Sequence, residues 1–259
     1  MLRRPQAPGD ARTGSRRTAS ATRGAAVPLV VVLGLLTGCT DDSRTTTTSS
    51  SAAQVLEELP VDRASSGGDY DRLEQFGDWA DPDGNGCDAR NDVLARDLTG
   101  VVVDDDGCRV LSGVLHDPYT GATIDFVRGP LTSADVQIDH VVALKNAWIT
   151  GADRLTRDQR VALANDPLNL QAVDGPTNGD KSASDAAAWL PPAEGYRCEY
   201  VARQIAVKAK YQLFVTAGEK DAMAEVLAGC PEQALPTAVP GAEETAPPPP
   251  EGQGQPSAP

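Results

Sequence analysis

Apolar residues at Met223, Val226, Leu227 and Cys230 follow the i, i+3, i+4, i+7 spacing that gathers side chains on one helical face. Thr216-Ala217-Gly218-Glu219 stands ahead of them as a capping box, so a helix is predicted to open there. A second box, Thr156-Arg157-Asp158-Gln159, precedes Val161, Ala162 and Leu163 and predicts another, shorter helix. Between the two, residues 198–211 (CEYVARQIAVKAKY) carry apolar side chains around most of a helical circumference, which predicts a partly buried helix. Strand patterns are briefer, at 100–103, 109–115, 122–127, 136–138 and 168–173. Short strands mixed with helices predict an α+β domain. No internal repeat is visible.

The ends of the chain read differently. Residues 1–38 combine a leader bearing six arginines and one aspartate with a short apolar run, AAVPLVVVLGLL, from Ala25 to Leu36. The run is too short for a stable membrane span and suits the core of a signal peptide. Leu36-Thr37-Gly38-Cys39 resembles the lipobox of bacterial lipoproteins, in which the Cys is acylated and becomes the first mature residue. That resemblance implies an exported protein held at the outer face of the bacterial cytoplasmic membrane through a lipid on Cys39. Residues 39–69, rich in Thr and Ser, read as a flexible tether. Residues 232–259, with four successive prolines from Pro247, read as a tail that cannot bury a core. The globular part is therefore expected over 70–231.

With Cys39 assigned to lipid, four cysteines remain, an even number for a compartment where disulfides persist. Three pairings are possible. Cys87–Cys108 and Cys198–Cys230 are favoured, since each pair is close in sequence and lies within one predicted substructure. No two of them form the C-x-x-C spacing of a zinc site.

The net charge is −14, and loss of the basic leader makes it more negative still. Proteins that bind nucleic acid usually present a basic face. A polyanion ligand would have to be met here by metal ions and a local patch.

The chemistry is concentrated between Val136 and Trp189. Val136-Gln137-Ile138 alternates apolar and polar residues and brings Asp139 and His140 to a strand end. A helical insertion, 143–165, separates it from a return strand at 167–173. After the turn Asp174-Gly175-Pro176 comes Thr177-Asn178-Gly179-Asp180-Lys181-Ser182, at a helix start. This order, Asp-His, then Asn169, then Asn178-x-x-Lys181, resembles the HNH (ββα-metal) nuclease motif. Its flanks sharpen the likeness: Tyr70-x-Arg72, Phe76-Gly77-Asp78-Trp79, Gly86-Cys87-Asp88-x-Arg90-Asn91, Trp189-Leu-Pro-Pro192 and Tyr196-Arg197-Cys198. Together they resemble an exported HNH branch of actinobacterial type, related to the C-terminal nuclease domain of GmrSD restriction endonucleases.

The resemblance implies a ββα-metal core with additional short strands and helices, and a metal-dependent endonuclease acting on DNA or RNA. It implies His140 as general base, Asp139 and Asn178 as ligands of one divalent ion (Mg²⁺ first, Mn²⁺ second), and Asn169 as the brace of the loop between the strands. The residue types suit phosphodiester hydrolysis. A neutral imidazole takes a proton from water, and one carboxylate with one amide oxygen leaves a hard cation open to water and phosphate. Lys181, one turn from Asn178, is expected to face the same site and contact phosphate. Nucleic acid is the expected partner, with membrane contact through lipid alone and no protein partner implied. Asp180 places an extra acid in the metal turn. His116, the other histidine, reads as part of a turn after a strand.

Asp81, Asp83 and Asn85, with Asp92 at the twelfth position, resemble the first half of a calcium loop. The flanks lack convincing helices for such a loop, and a plain Gly/Asp turn held by Cys87 is the favoured reading, with structural Ca²⁺ as its alternative. A non-catalytic envelope lipoprotein, calcium-stabilised and binding a partner on an HNH-like scaffold, is the competing function. Acidity favours that reading; the intact Asp139, His140 and Asn178 favour the enzyme.

Overall fold

A computed structural model describes residues 50–130 and 132–236. The leader, Cys39 and most of the Pro-rich tail lie outside the described residues.

Among the described residues the first elements are α1 (Ala52–Glu58), α2 (Arg72–Phe76) and α3 (Ala89–Asp97). An antiparallel sheet follows, β1 (Leu98–Val103), β2 (Val110–His116) and β3 (Thr123–Val127), in the order β1-β2-β3. β4 (Val136–His140) pairs antiparallel with β5 (Leu170–Asp174), Asp139 opposite Gln171 and His140 opposite Leu170. Between these two strands run α4 (Leu144–Ile149), a 3-10 turn (Ala152–Arg154) and α5 (Arg157–Ala164). α6 (Gly175–Lys181) leaves β5 directly and packs back on the β4–β5 hairpin. The last helices are α7 (Arg197–Lys210) and α8 (Ala217–Ala228). This is an α+β arrangement, and both favoured cysteine pairs, Cys87–Cys108 and Cys198–Cys230, are at disulfide distance.

Both capping boxes read from the sequence form. Thr156 and Gln159 cap α5, and Thr216 and Glu219 cap α8, each Thr hydroxyl accepting from an N3 amide that lacks an intrahelical partner. α7 is buried along most of its length, with Val201, Ala202 and Ile205 fully enclosed in a cluster with α1, α8 and the aromatic residues Tyr119 and Tyr200. A second apolar cluster joins Phe76, Trp148, Leu163 and Leu213; a third packs α3 (Val93, Leu94) against Val110, Phe126, Ile138 and Leu170 of the sheets.

The expected tether is corrected by α1. Ala52, Leu56 and Leu59 are buried in the α7–α8 cluster, and Ser51 with Gln54 forms a complete capping box. The Thr/Ser-rich stretch before them hides this short apolar stripe at i, i+4, i+7. Beyond Pro231 the chain also stays attached: Ala52 donates to the Gln233 carbonyl, and Ser51 bridges to Ala234. The folded unit thus includes residues 51–59 and 233–234, which close one seam.

Among the described residues β5 pairs with β4 alone, yet its outer edge is satisfied. Asp97 accepts from the Ala172 amide at 2.8 Å, while Arg96 and Arg203 both donate to the Leu170 carbonyl. The turn into α6 requires glycine: a Cβ on Gly175 would lie 1.9 Å from the Ala134 carbonyl oxygen. Asp174 caps α6 through the Thr177 amide, and its own amide donates to the buried Asp117 at 3.0 Å. Asp117 also accepts from the amides of Tyr119 and Thr120, so the β2–β3 turn is pinned to the start of α6.

Candidate active site

Strand alternation sends Gln137 and Asp139 toward α6, and Ile138 and His140 to the opposite face. On the α6 side, the Lys181 ammonium donates to Asp139 Oδ1 at 2.9 Å and to the His140 carbonyl at 2.8 Å. The Tyr119 hydroxyl donates to Asp139 Oδ2 at 2.5 Å. All three side chains are buried. Burial raises the Asp139 carboxyl above the usual range, opposed by the Lys181 charge and by both hydrogen bonds. Burial, then the Asp139 charge, lifts the Tyr119 phenol well above its ordinary value, so it remains a donor. Asn178, a turn before Lys181, spends its Nδ2 on Gln137 Oε1 at 2.9 Å. Its amide oxygen accepts no hydrogen bond among the described residues.

On the other face, the His140 ring stacks on Trp79 with centroids 5.8 Å apart and planes 8° from parallel. Its Nε2 lies 2.8 Å from the Ala164 carbonyl oxygen. A carbonyl only accepts, so Nε2 carries the proton and Nδ1 keeps its lone pair. Burial first, then the charges of Arg72 and Lys181, lower the imidazole to about 3 against the influence of the Ala164 bond. His140 is therefore neutral near pH 7.

Asn169 is fully buried. Its Oδ1 accepts from the Val142 amide at 2.8 Å, its Nδ2 reaches the Val142 and Leu163 carbonyls, and its own carbonyl accepts from Val141. It thus ties the start of the return strand to the chain leaving β4.

The expected residues are therefore gathered on two faces of one strand end. Asp139 meets Lys181, Asn178 lies one pleat away beside Gln137, and the imidazole projects from the reverse side. The expected phosphate contact of Lys181 is not met: it has no solvent exposure, and its ammonium is committed to Asp139 and a carbonyl. Sequence reading missed Tyr119 as Asp139's second donor, because it sits in what looks like a simple turn, His116-Asp117-Pro118-Tyr119. His116 itself is exposed at the end of β2, its Nδ1 3.3 Å from the Thr123 hydroxyl.

The donor set fits a hard divalent ion in composition. The Asn178 oxygen has no partner, and each Asp139 oxygen retains a lone pair beyond its one hydrogen bond. Among the described residues no three His, Cys, Asp or Glu cluster as a closed metal cage. In the 81–86 loop, Asp81 accepts from the amides of Gly84, Asn85 and Gly86, and Asn85 Nδ2 donates to Asp83 and Asp92. The loop closes on its own hydrogen bonds.

The family described as GmrSD restriction endonucleases, C-terminal domain, matches residues 88–226. A protein of Arthroderma benhamiae described as an uncharacterized secreted protein is 39% identical over 181 residues, covering 69% of this chain and 84% of its own length. No solved structure matches. A secreted relative and two disulfides both accord with export.

Proposed function

Because the chain belongs to the GmrSD restriction endonuclease C-terminal-domain family, which points to a nuclease-type function on nucleic acid, we propose a finer reading: it is an HNH-type, metal-dependent phosphodiesterase that cleaves DNA or RNA endonucleolytically, with His140 as its base. The observation that carries this reading is the bond from His140 Nε2 to the Ala164 carbonyl, which leaves Nδ1 bare.

In this scheme Nδ1 takes a proton from water as the water oxygen bonds to phosphorus. The bond to the 3′-oxygen breaks, and that oxygen takes a proton from solvent, leaving 5′-phosphate and 3′-hydroxyl ends. Trp79, stacked on the ring, and the Ala164 carbonyl fix the plane and tautomer of the imidazole. A base near 3 is weak, but it is held in the neutral form that accepts a proton. Asp139 and Asn178 would hold one divalent ion, Mg²⁺ or Mn²⁺. When bound, the ion supplies positive charge to the phosphate oxygens. Lys181 and Tyr119 fix the carboxylate of Asp139. Asn169 holds the loop that carries the chain away from His140.

Lipidation at Cys39 and the signal peptide belong to the same proposal: the enzyme works outside the cytoplasmic membrane. Supercoiled plasmid incubated with the protein and Mg²⁺ or Mn²⁺ tests the chemistry. Nicking that stops in EDTA and in His140→Ala is expected. Absence of nicking with either metal points instead to the non-catalytic partner-binding lipoprotein, and hydrolysis confined to a small chromogenic ester points to a different phosphodiester substrate.

A further inference from the structure

With Lys181 sealed against Asp139, the cation that meets a polyanion has to be elsewhere. Beside the Cys87–Cys108 disulfide lies a polar cleft of about 340 Å³, lined by Asn91, Arg109 and Arg128, with Asp88 and Asp106 at its wall. Arg90, on the first turn of α3, is a third arginine, near enough to Arg128 for that charge to lower it. None of the ion pairs among the described residues includes Arg90, Arg109 or Arg128. The two acids are otherwise engaged: Asp88 accepts from the amide and side chain of Asn91, and Asp106 from the amides of Cys108 and Arg109.

Arg128 is not loose. Its Nε donates to the Val110 carbonyl at 2.5 Å and its Nη2 to Asn91 Oδ1 at 2.7 Å, which orients the fork while spending none of its charge. Burial and then the neighbouring arginine lower both Arg90 and Arg128, only partly opposed by Asp88. Acids outnumber bases in the chain by 37 to 23, yet the two carboxylates at the cleft, Asp88 and Asp106, form no ion pair with these arginines. The helix that carries Arg90 is tied to the segment that stacks on His140. The Ala89 amide, next to Arg90, donates to the Ala80 carbonyl, and Ala80 follows the Trp79 that stacks on His140.

We propose that the cleft formed by Arg109 and Arg128, with Arg90 beside it, is an anion site that holds a backbone phosphate of the nucleic acid strand away from the cleavage point. This inference rests on the nuclease reading above. Arginine forks suit phosphate oxygens, and such contacts carry no base information, so binding there is indifferent to sequence.

The probe is a fluorescein-labelled oligonucleotide duplex, titrated in EDTA so that no metal-dependent cleavage occurs, with anisotropy read across a salt series. Arg109→Gln removes a side chain with no partner among the described residues, and Arg90→Gln is its companion; melting temperatures check that both fold. Each variant is expected to bind about five- to tenfold more weakly at 0.1 M salt and to lose about one unit of the log K against log salt slope. Hydrolysis of a small chromogenic phosphodiester should be unchanged. Unaltered affinity and slope in folded variants would overturn the cleft, as would a wild-type protein that binds no duplex. Arginine-dependent binding to phosphatidylglycerol vesicles without duplex binding would overturn it in favour of a membrane contact. The two readings separate: arginine-dependent binding without nicking sinks the nuclease and leaves the cleft standing, whereas nicking with unaltered variants sinks the cleft alone.

Discussion

Replacing Lys181 with Met distinguishes a buried lock from a phosphate-binding cation. The Lys181 side chain is 0% exposed and that of Asp139 5%, with nitrogen and oxygen 2.9 Å apart. Exposed ion pairs contribute about 0–1 kcal/mol, but removing one partner of a buried pair leaves an unpaired charge in the interior and costs roughly 3–5 kcal/mol. Lys181→Met also takes a donor from the His140 carbonyl. For a folded unit of this size, the loss corresponds to a fall in melting temperature of roughly 6–20 °C. Asp139→Asn on its own leaves the ammonium without its counter-charge. Combining the two changes removes both charges at once, so the double variant should be less destabilised than the two single costs added together. Urea unfolding of all four proteins in EDTA gives the coupling energy, expected at 2 kcal/mol or more, as an order of magnitude for contacting buried charges. A cost below about 1 kcal/mol for Lys181→Met, with strictly additive effects, would refute the buried lock and return Lys181 to the surface.

Tyr119→Phe deletes the second donor to Asp139 and should cost roughly 1–3 kcal/mol in urea unfolding, since a buried carboxylate oxygen is left unmatched; an unchanged midpoint would show that the bond contributes nothing. Acidification should expose His140: its folded pKa, about 3, lies below the unfolded 6.5. The unfolded chain then binds more protons between those values, so stability present above pH 6.5 is lost as pH falls toward 3. Metal-free denaturation at pH 7 and pH 4 should show wild type losing roughly 3 kcal/mol more than His140→Gln; equal losses would contradict a buried neutral imidazole. Reducing the Cys198–Cys230 bridge, which spans a sequence separation of 32, should lower stability by roughly 3–4 kcal/mol, read by calorimetry of Cys198→Ser/Cys230→Ser with Cys87–Cys108 intact.

The elements legible in the sequence are those whose information is local. Thr156 with Gln159, and Thr216 with Glu219, announce their helices within four residues, and the alternation at Val136-Gln137-Ile138 announces β4. α1 escaped because composition was weighed over a longer window than its seven residues, and its stripe acquires meaning only against α7 and α8. In the site, the order Asp139, His140, Asn169, Asn178 was readable as a motif. What each side chain touches was not, because those partners arrive from distant segments. Tyr119 comes from a β-turn, Trp79 from the segment after α2, and Ala164 offers a main-chain oxygen that no side-chain pattern encodes. Helical spacing correctly aligned Lys181 with Asn178 on α6, but spacing is silent about burial, which decided what the ammonium does.

An acidic protein proposed to act on a polyanion raises a question of range that screening answers. At 0.15 M salt charges are felt over about 8 Å, and at 0.01 M over about 30 Å. In dilute salt an incoming duplex therefore senses the whole molecule, whose formal charge is −14, and is repelled. Near physiological salt it senses what lies within one screening length, and at the cleft that is Arg109 and Arg128, with Asp88 and Asp106 held in hydrogen bonds of their own. At still higher salt, counterion release gives no advantage and the phosphate contacts weaken. Duplex affinity should consequently pass through a maximum between about 0.01 and 0.5 M salt, unlike the steady decline of a basic nucleic-acid-binding protein. Arg109→Gln should flatten the high-salt limb and leave the low-salt limb in place, because only the first belongs to the cleft. Affinity falling steadily from the lowest salt upward would mean that some larger basic face governs association, and the repulsion inferred from composition would be wrong.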